Sequence, residues 1–221
     1  MDIDILSLFP EYFEGPFSCS MIKRAAEKLL VNIQLVDIRS FAKDRHSTVD
    51  DRPYGGGPGM ILKVGPIVDA IRSLRRERSH VIYLSPQGRL LDAITCESMA
   101  LSYEHLILLC GHYEGIDERA INLEVDEEIS IGNYVLTSGC TAAIVFVDAI
   151  SRFIPGVIGN SEAVYKDSFH VKEGFDNPHY TRPAEFEGLV VPDVLVGGNH
   201  MKIEAWRKEK ALAKRNSTNQ Q

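Results

Sequence analysis

Five apolar runs of strand length alternate with helix-period segments through the first 132 residues, and this alternation narrows the possible folds more than any other feature of the chain. IDILSLF (3–9), VNIQLVDI (31–38), HVIYLS (80–85), HLILLCG (105–111) and EEISIG (127–132) read as strands. Between the first two, Met21, Ala25, Leu29 and Ile22, Ala26, Leu30 recur at spacings of three and four, which predicts an amphipathic helix over 18–30. Pro66 stands in the favoured first turn of a second helix reaching about residue 77, 91–101 reads as a third and 114–121 as a short fourth. TAAIVFVDAISRF (141–153) is apolar on most of its surface and predicts a buried helix. Strands alternating with helices imply an α/β domain with a mostly parallel sheet.

The remaining segments punctuate that pattern. KDRHSTVDDRPYGGGPGM (43–60) has no apolar period and ends in four glycines and two prolines within seven residues, a long loop of the kind that carries function. PQGR (86–89) reads as a turn, and 156–178 lacks apolar periodicity and reads as a linker. A small second region from about residue 179 holds paired turn signals and an amphipathic helix over 201–213, and the polar tail 216–221 is expected to be disordered. The expected organisation is a main α/β domain over 1–158, a linker over 159–178 and a small, mainly helical domain over 179–221.

Composition sets limits on partners and compartment. No window approaches the ~18 apolar residues of a membrane span, and the N-terminus opens with acids where a signal peptide needs bases, so a cytoplasmic protein is expected. Cys19, Cys96, Cys110 and Cys140 are widely spaced with no C-x-x-C pair, which argues against a zinc site or redox dithiol. The net charge of -7 opposes phosphate binding in general, yet RSLRRER (72–78) sets four arginines against one glutamate and residues 202–221 set six Lys/Arg against two Glu. Such runs are RNA contacts or merely solvated faces. Residues 114–128 carry the opposite bias, seven acids to one base.

Ligands of a parallel α/β sheet collect beyond the carboxyl ends of its strands. Those ends carry Ser85-Pro86, Gly111-His112-Tyr113 and Ile131-Gly132-Asn133-Tyr134, and the stretch 106–139 sets two glycine loops one strand apart. Glycine lets a ligand approach the main chain closely, although both loops read equally well as ordinary turns. G-x-G-x-x-G, G-x-x-x-x-G-K-[ST] and G-x-S-x-G are all missing, which removes the main support for nicotinamide enzymes, P-loop phosphotransferases and α/β hydrolases. What remains is a glycine-lined pocket whose main chain suits a purine, with Tyr113, Tyr134 and Leu136 to sandwich it.

DRPYGGGPGM, LSPQG, GHYEGIDER, IGNYVL, SRFIPGV, DSF, PHYTRP and GGNH follow one another from about residue 9 to 206. In that order they resemble bacterial tRNA (guanine-N1)-methyltransferases of the SPOUT class, over nearly the whole chain. The resemblance implies a parallel sheet with a deep C-terminal trefoil knot in the catalytic domain, a homodimer, S-adenosylmethionine as cofactor, and tRNA methylated at N1 of the guanosine just 3′ of the anticodon (position 37). It assigns cofactor contacts to Tyr83, Leu84, Ser85 and Pro86, to Gly111, Tyr113 and Gly115, to Ile131, Gly132, Asn133, Tyr134, Val135 and Leu136, and to Gly139. Asp167 aligns with the general base and Arg152 with its supporting cation; Asp50, Arg52, Glu114 and Ser168 fall at substrate-RNA positions. The family is associated with Mg²⁺, for which the sequence offers no oxygen-ligand cage.

The chemistry suits those residue types. N1 of guanine holds a proton at neutral pH and becomes nucleophilic only as that proton leaves, so a carboxylate in reach acts as base. Charge then grows on O6, where a guanidinium stabilises the transition state more than the ground state. Without the resemblance, Asp167 reads as a turn residue and Arg152 as a cation at a helix C-terminus. His46 and His112 read as structural or RNA-adjacent. Two other classes are a ribose 2′-O-methyltransferase of the same fold, which needs no Asp167, and a non-catalytic tRNA-binding descendant.

The chain departs from the family pattern at several places. Where the family has SGGELPA after the IGDYVL motif, it reads TSGCTAA, so Ser138 replaces a glycine, Cys140 an acid and Ala142 a proline. His112 and Asn133 replace an arginine and an aspartate. The C-terminal region is also expected to be short for the family, shifting tRNA contacts onto 72–78 and 202–215.

Overall fold

The computed structural model describes residues 1–159, 164–170 and 175–218. They fall into two compact units, Met1–Gly159 and Asn160–Gln221. In the first unit, β1 (Asp2–Ser7) leads through α1 (Glu14–Phe17) and α2 (Ser20–Glu27) to β2 (Asn32–Asp37). Two short strands, β3 (Asp50–Asp51) and β4 (Ile61–Leu62), precede α3 (Val64–Leu74) and β5 (Ser79–Leu90). Then come α4 (Ala93–Ser102), β6 (His105–Cys110), α5 (Glu118–Glu124), β7 (Glu127–Ser130) and α6 (Gly139–Ser151).

All five expected strands join one sheet in the order β2-β1-β6-β5-β7, and every pairing in it is parallel. Both faces are covered, as parallel sheets require. Alternate side chains of β6 divide between two cores. Leu106, Leu108 and Cys110 pack with α2, α4 and α6, whereas Ile107 and Leu109 pack with Ile67, Val68 and Ile71 of α3 and Ala120 of α5. At the amino end of the sheet, buried His105 bonds Asp4 at 2.9 Å and Ser79 at 2.7 Å, which satisfies the polar groups there.

Three expectations change. PQGR is not a turn: β5 runs on to Leu90 after a register shift between Leu84 and Arg89, a bulge of the kind that marks sites. A Cβ at Gly88 would overlap the Glu128–Ile129 backbone, so only glycine lets β5 stay against β7. The helix expected to reach residue 77 ends at Leu74, where Arg75 turns to extended backbone. The helix α6 is buried on one face only, through Cys140, Ala143, Phe146, Val147 and Ile150, while Val145 remains 44% exposed.

Helix α4 begins at an Asp92 cap whose carboxylate accepts the Thr95 N–H at 2.7 Å. Hydrogen bonds from the Thr95 hydroxyl and amide hold that carboxyl below the usual aspartate range. Asp92→Ala is expected to cost ~1 kcal/mol of stability at neutral pH. Because the folded value is lowered, the cap's contribution is complete above the ordinary aspartate value of ~3.9 and fades as pH falls through the folded value. Denaturant titrations at two pH values measure both.

The second unit contains an antiparallel pair, β8 (Glu185–Phe186) and β9 (Leu189–Val190), then α7 (Asp193–Val196) and α8 (His200–Thr218). Helix α8 includes Asn216, Ser217 and Thr218, so the first half of the expected disordered tail is helical, with Ser217 bonded to the Lys214 carbonyl at 2.7 Å. Ile203, Trp206 and Ala211 are its less exposed apolar positions, at helical spacing, and Trp206 packs near Tyr180.

Candidate active site

A cavity of about 360 Å³ opens at the carboxyl ends of β6 and β7, beside the register shift in the middle of β5. Each wall is built by a local device. The bulge in β5 presents Ser85, Pro86 and Gln87, with Ser85 Oγ accepting the Gln87 N–H at 3.2 Å. The loop after β6 is anchored to 60–62: Glu114 N–H donates to the Met60 carbonyl at 3.1 Å and Leu62 N–H to the Gly115 carbonyl at 3.0 Å. In the loop after β7, Ser130 Oγ donates to the Gly132 carbonyl at 3.0 Å, and Tyr134 OH reaches the Ile131 carbonyl at 3.3 Å.

Two glycines matter for space. Gly139 N–H donates to the Gly111 carbonyl at 2.8 Å, and a Cβ on Gly139 would stand 2.9 Å from Cys110 Cα and Gly111 N. A Cβ on Gly111 would stand 2.9 Å from the Tyr83 hydroxyl. The start of α6 and the end of β6 therefore touch backbone to backbone, with no side chain between them. Tyr113 holds φ 58, a left-handed conformation that costs a non-glycine residue of order 1–3 kcal/mol and clusters at ligand sites.

All the positions expected to contact cofactor line this cavity except Asn133. Asn133 stands at the centre of a tight turn closed by Tyr134 N–H on the Gly132 carbonyl at 2.9 Å. Glu114 also lines the cavity, beside Gly59 of the glycine loop. Asp50 lies outside the lining on β3 and pairs with Leu62; Arg52 is exposed, its N–H bonded to Asp51 at 2.8 Å. Arg152 is the C-cap of α6. Asp167 and Ser168 belong to the second unit: Asp167 N–H donates to the Val164 carbonyl at 3.4 Å, and Ser168 Oγ accepts the Asp176 N–H at 3.0 Å.

Some lining residues had no signal of their own. His112 has a buried Nδ1 without a hydrogen-bond partner, packed between Phe9 and Tyr113. Its place inside GHYEG was the available clue. Tyr83 is buried, and burial with the nearby carboxylates of Glu128 and Glu118 pushes its phenol up to about 12, so it stays a neutral donor. The departures acquire local reasons too: Ser138 caps α6 by accepting the Cys140 N–H at 3.3 Å.

The lining suits a small-molecule ligand of nucleoside size. The cavity is of ligand size, glycines expose main-chain groups, His112 offers an unpaired nitrogen, and Tyr134, Val135 and Leu136 are at least partly exposed along its rim. No group of three or more His, Cys, Asp or Glu suited to a metal occurs among the described residues.

The arginine-rich segment proves to be engaged. Buried Glu124 takes Arg72 at 2.6 Å and Arg75 at 3.1 Å, Asp126 takes Arg75 at 2.6 Å, Asp2 takes Arg76 at 2.6 Å, and Glu104 lies 3.7 Å from Arg78. Its charge is largely offset within the unit, which favours the solvated, ion-paired face over the RNA contact as the reading of this segment.

Residues 1–221 match the family described as tRNA (Guanine-1)-methyltransferase TrmD. The chain belongs to that family. A tRNA (guanine-N(1)-)-methyltransferase of Protochlamydia amoebophila is 60% identical over 216 residues, covering 97% of this chain and 96% of its own length. The protein of that name in Chlamydia pneumoniae is 56% identical over 212 residues, 96% of this chain and 58% of its own length. One from Carboxydothermus hydrogenoformans is 50% identical over 212 residues, 96% of this chain and 83% of its own. This chain thus spans nearly all of one such relative and a little over half of another.

Proposed function

We propose that the chain methylates N1 of the guanosine immediately 3′ of the anticodon, position 37, in tRNA, with S-adenosylmethionine bound in the cavity beside β5 and beyond β6 and β7. The observation that carries this reading is the cavity itself, which gathers the motif positions of 83–86, 111–115 and 131–139 around a backbone contact at Gly111 and Gly139. The bound cofactor supplies an electrophilic methyl group. Main-chain groups of the two glycine loops hold it, and the apolar rim of Tyr134, Val135 and Leu136 excludes water from it.

Asp167 takes the N1 proton and Arg152 supports the charge that develops. Glu114, at the cavity wall, faces the base; Asp50, Arg52 and Ser168 position the RNA. Holding nucleophile and methyl donor in line supplies much of the remaining acceleration. The reading includes the trefoil knot, supported by the close approach of α6 to the end of β6, and a cytoplasmic homodimer. Among the described residues, no helix is long and apolar enough to cross a membrane. Residues 179–221 contribute tRNA affinity through the lysines and arginines of α8, because the arginines of 72–78 are paired internally.

Transfer from labelled cofactor to tRNA carrying guanosine at position 37 should proceed, and transfer to the same tRNA with adenosine there should not. Equal labelling of both overturns the N1-guanine assignment. Labelling of tRNA already blocked at N1 identifies ribose chemistry instead, and binding of tRNA without cofactor binding by calorimetry identifies a non-catalytic descendant.

A further inference from the structure

The cavity carries its ionic groups unevenly. Glu114 and Glu118 both line it, whereas no lysine or arginine does so among the described residues. The two carboxylates are set by separate local devices. Glu114 is fixed by its N–H on the Met60 carbonyl at 3.1 Å, and Glu118 opens α5 directly after the Asp117 cap. Arg119, the next residue, is held by Asp117 through bonds of 2.9 Å and 2.7 Å, so its charge is taken up there. Glu118 accepts a long hydrogen bond from Asn122 Nδ2, at 3.4 Å, and among the described residues neither it nor Glu114 forms an ion pair. His112, in the same lining, pairs with neither carboxylate, and its Nδ1 is buried without a partner.

An unpaired carboxylate at the wall of a cleft attracts a bound cation through a medium less polar than bulk water. Both glutamates are exposed, so solvent screens that attraction to the size of a surface charge interaction. Tyr83 of the same lining feels the field: burial and the carboxylates of Glu128 and Glu118 push its phenol up to about 12.

We propose that Glu118 is a specificity-determining residue that lets the cavity discriminate by charge, holding the cationic methyl donor more tightly than the neutral thioether left after transfer. The identity of the ligand rests on the proposed function. In the transfer the S–CH3 bond breaks with its electron pair returning to sulfur, the N1–CH3 bond forms, and the N1 proton passes to Asp167. S-adenosylmethionine has a net positive charge and the S-adenosylhomocysteine that remains has none, so Glu114 and Glu118 lose their counter-charge at the moment of product formation. Because the sulfonium charge declines on the way to the transition state, this attraction does not speed the chemical step. Its effect lies in ligand exchange: product leaves and fresh donor replaces it. The plain alternative is that Glu118 is a helix-start acid, since negative charge in the first turn of α5 complements the helix dipole.

The test is calorimetry on the full chain with S-adenosylmethionine, with sinefungin, which carries an amine where the donor carries its methylated sulfur, and with S-adenosylhomocysteine. The parent chain should prefer the two cations, and the preference should shrink as salt is raised. Glu118→Gln should weaken both cations by roughly three- to fivefold and leave S-adenosylhomocysteine unchanged. His112→Arg, which adds a fixed cation to the lining, should narrow the preference in the same direction. In steady-state transfer to tRNA, Glu118→Gln should be inhibited at a lower ratio of S-adenosylhomocysteine to donor than the parent chain. Equal loss for all three ligands overturns the proposal, as does an unchanged preference accompanied by a lowered melting temperature, the mark of a helix-start acid. A parent chain that binds all three equally overturns it while leaving the cofactor site standing. One that binds none of them removes the cofactor assignment of the cavity and this inference with it.

Discussion

Asp167→Asn is expected to lower methyl transfer by about 10²- to 10⁴-fold while leaving cofactor affinity unchanged. Asparagine keeps the size and the hydrogen-bonding reach of aspartate but cannot take a proton from N1 of guanine. The loss therefore belongs in the chemical step, read by single-turnover transfer of a labelled methyl group, with calorimetry for the cofactor on the same preparation. Unchanged turnover in the variant removes Asp167 from its role. Lost cofactor binding would instead mean that the residue shapes the site.

Gly139→Ala addresses the cavity rather than the base. The added methyl would stand 2.9 Å from Cys110 Cα and Gly111 N, which are backbone atoms and cannot rotate away. Relief requires α6 to move from the end of β6, breaking the 2.8 Å bond to the Gly111 carbonyl and shifting two walls of the cavity together. Overpacking of this kind costs ~1–3 kcal/mol. For a chain of this length each kcal/mol lowers the melting temperature by roughly 2–4 °C. Cofactor affinity should fall by more than stability does, since the displaced atoms line the site. A variant that melts normally and binds cofactor normally would show that the contact is not confining.

The order and direction of the sheet were legible because parallel strands buried on both faces read as continuous apolar runs, as HLILLC does at β6. The location of the cavity followed from the rule that ligands sit beyond strand ends. Other features were hidden because different structures use the same residues. Pro86, Gln87 and Gly88 suit a turn and a bulge equally well, and only the fit of Gly88 against the backbone of β7 decides between them. Arginines of 72–78 resemble a nucleic-acid stripe in one dimension, while Glu124 and Asp126, about fifty positions on, neutralise them in three. Asn133 shares a motif with its neighbours but not their exposure to the cavity, because a tight turn places it at its apex.

The cavity draws its lining from 83–87, 111–121 and 129–142, so no single loop owns it. A molecule seated there bridges the ends of two strands, the bulge of a third and the head of the helix that covers them, much as a keystone closes separate courses of masonry. Opening any one of these segments forfeits the whole binding energy. By mass action, ligand at a hundredfold excess over its dissociation constant protects the folded state by ~2.7 kcal/mol. That protection should extend to amide exchange at Leu84, Cys110 and Ser130 together, so that three distant stretches of chain slow as one cooperative unit when the site is filled.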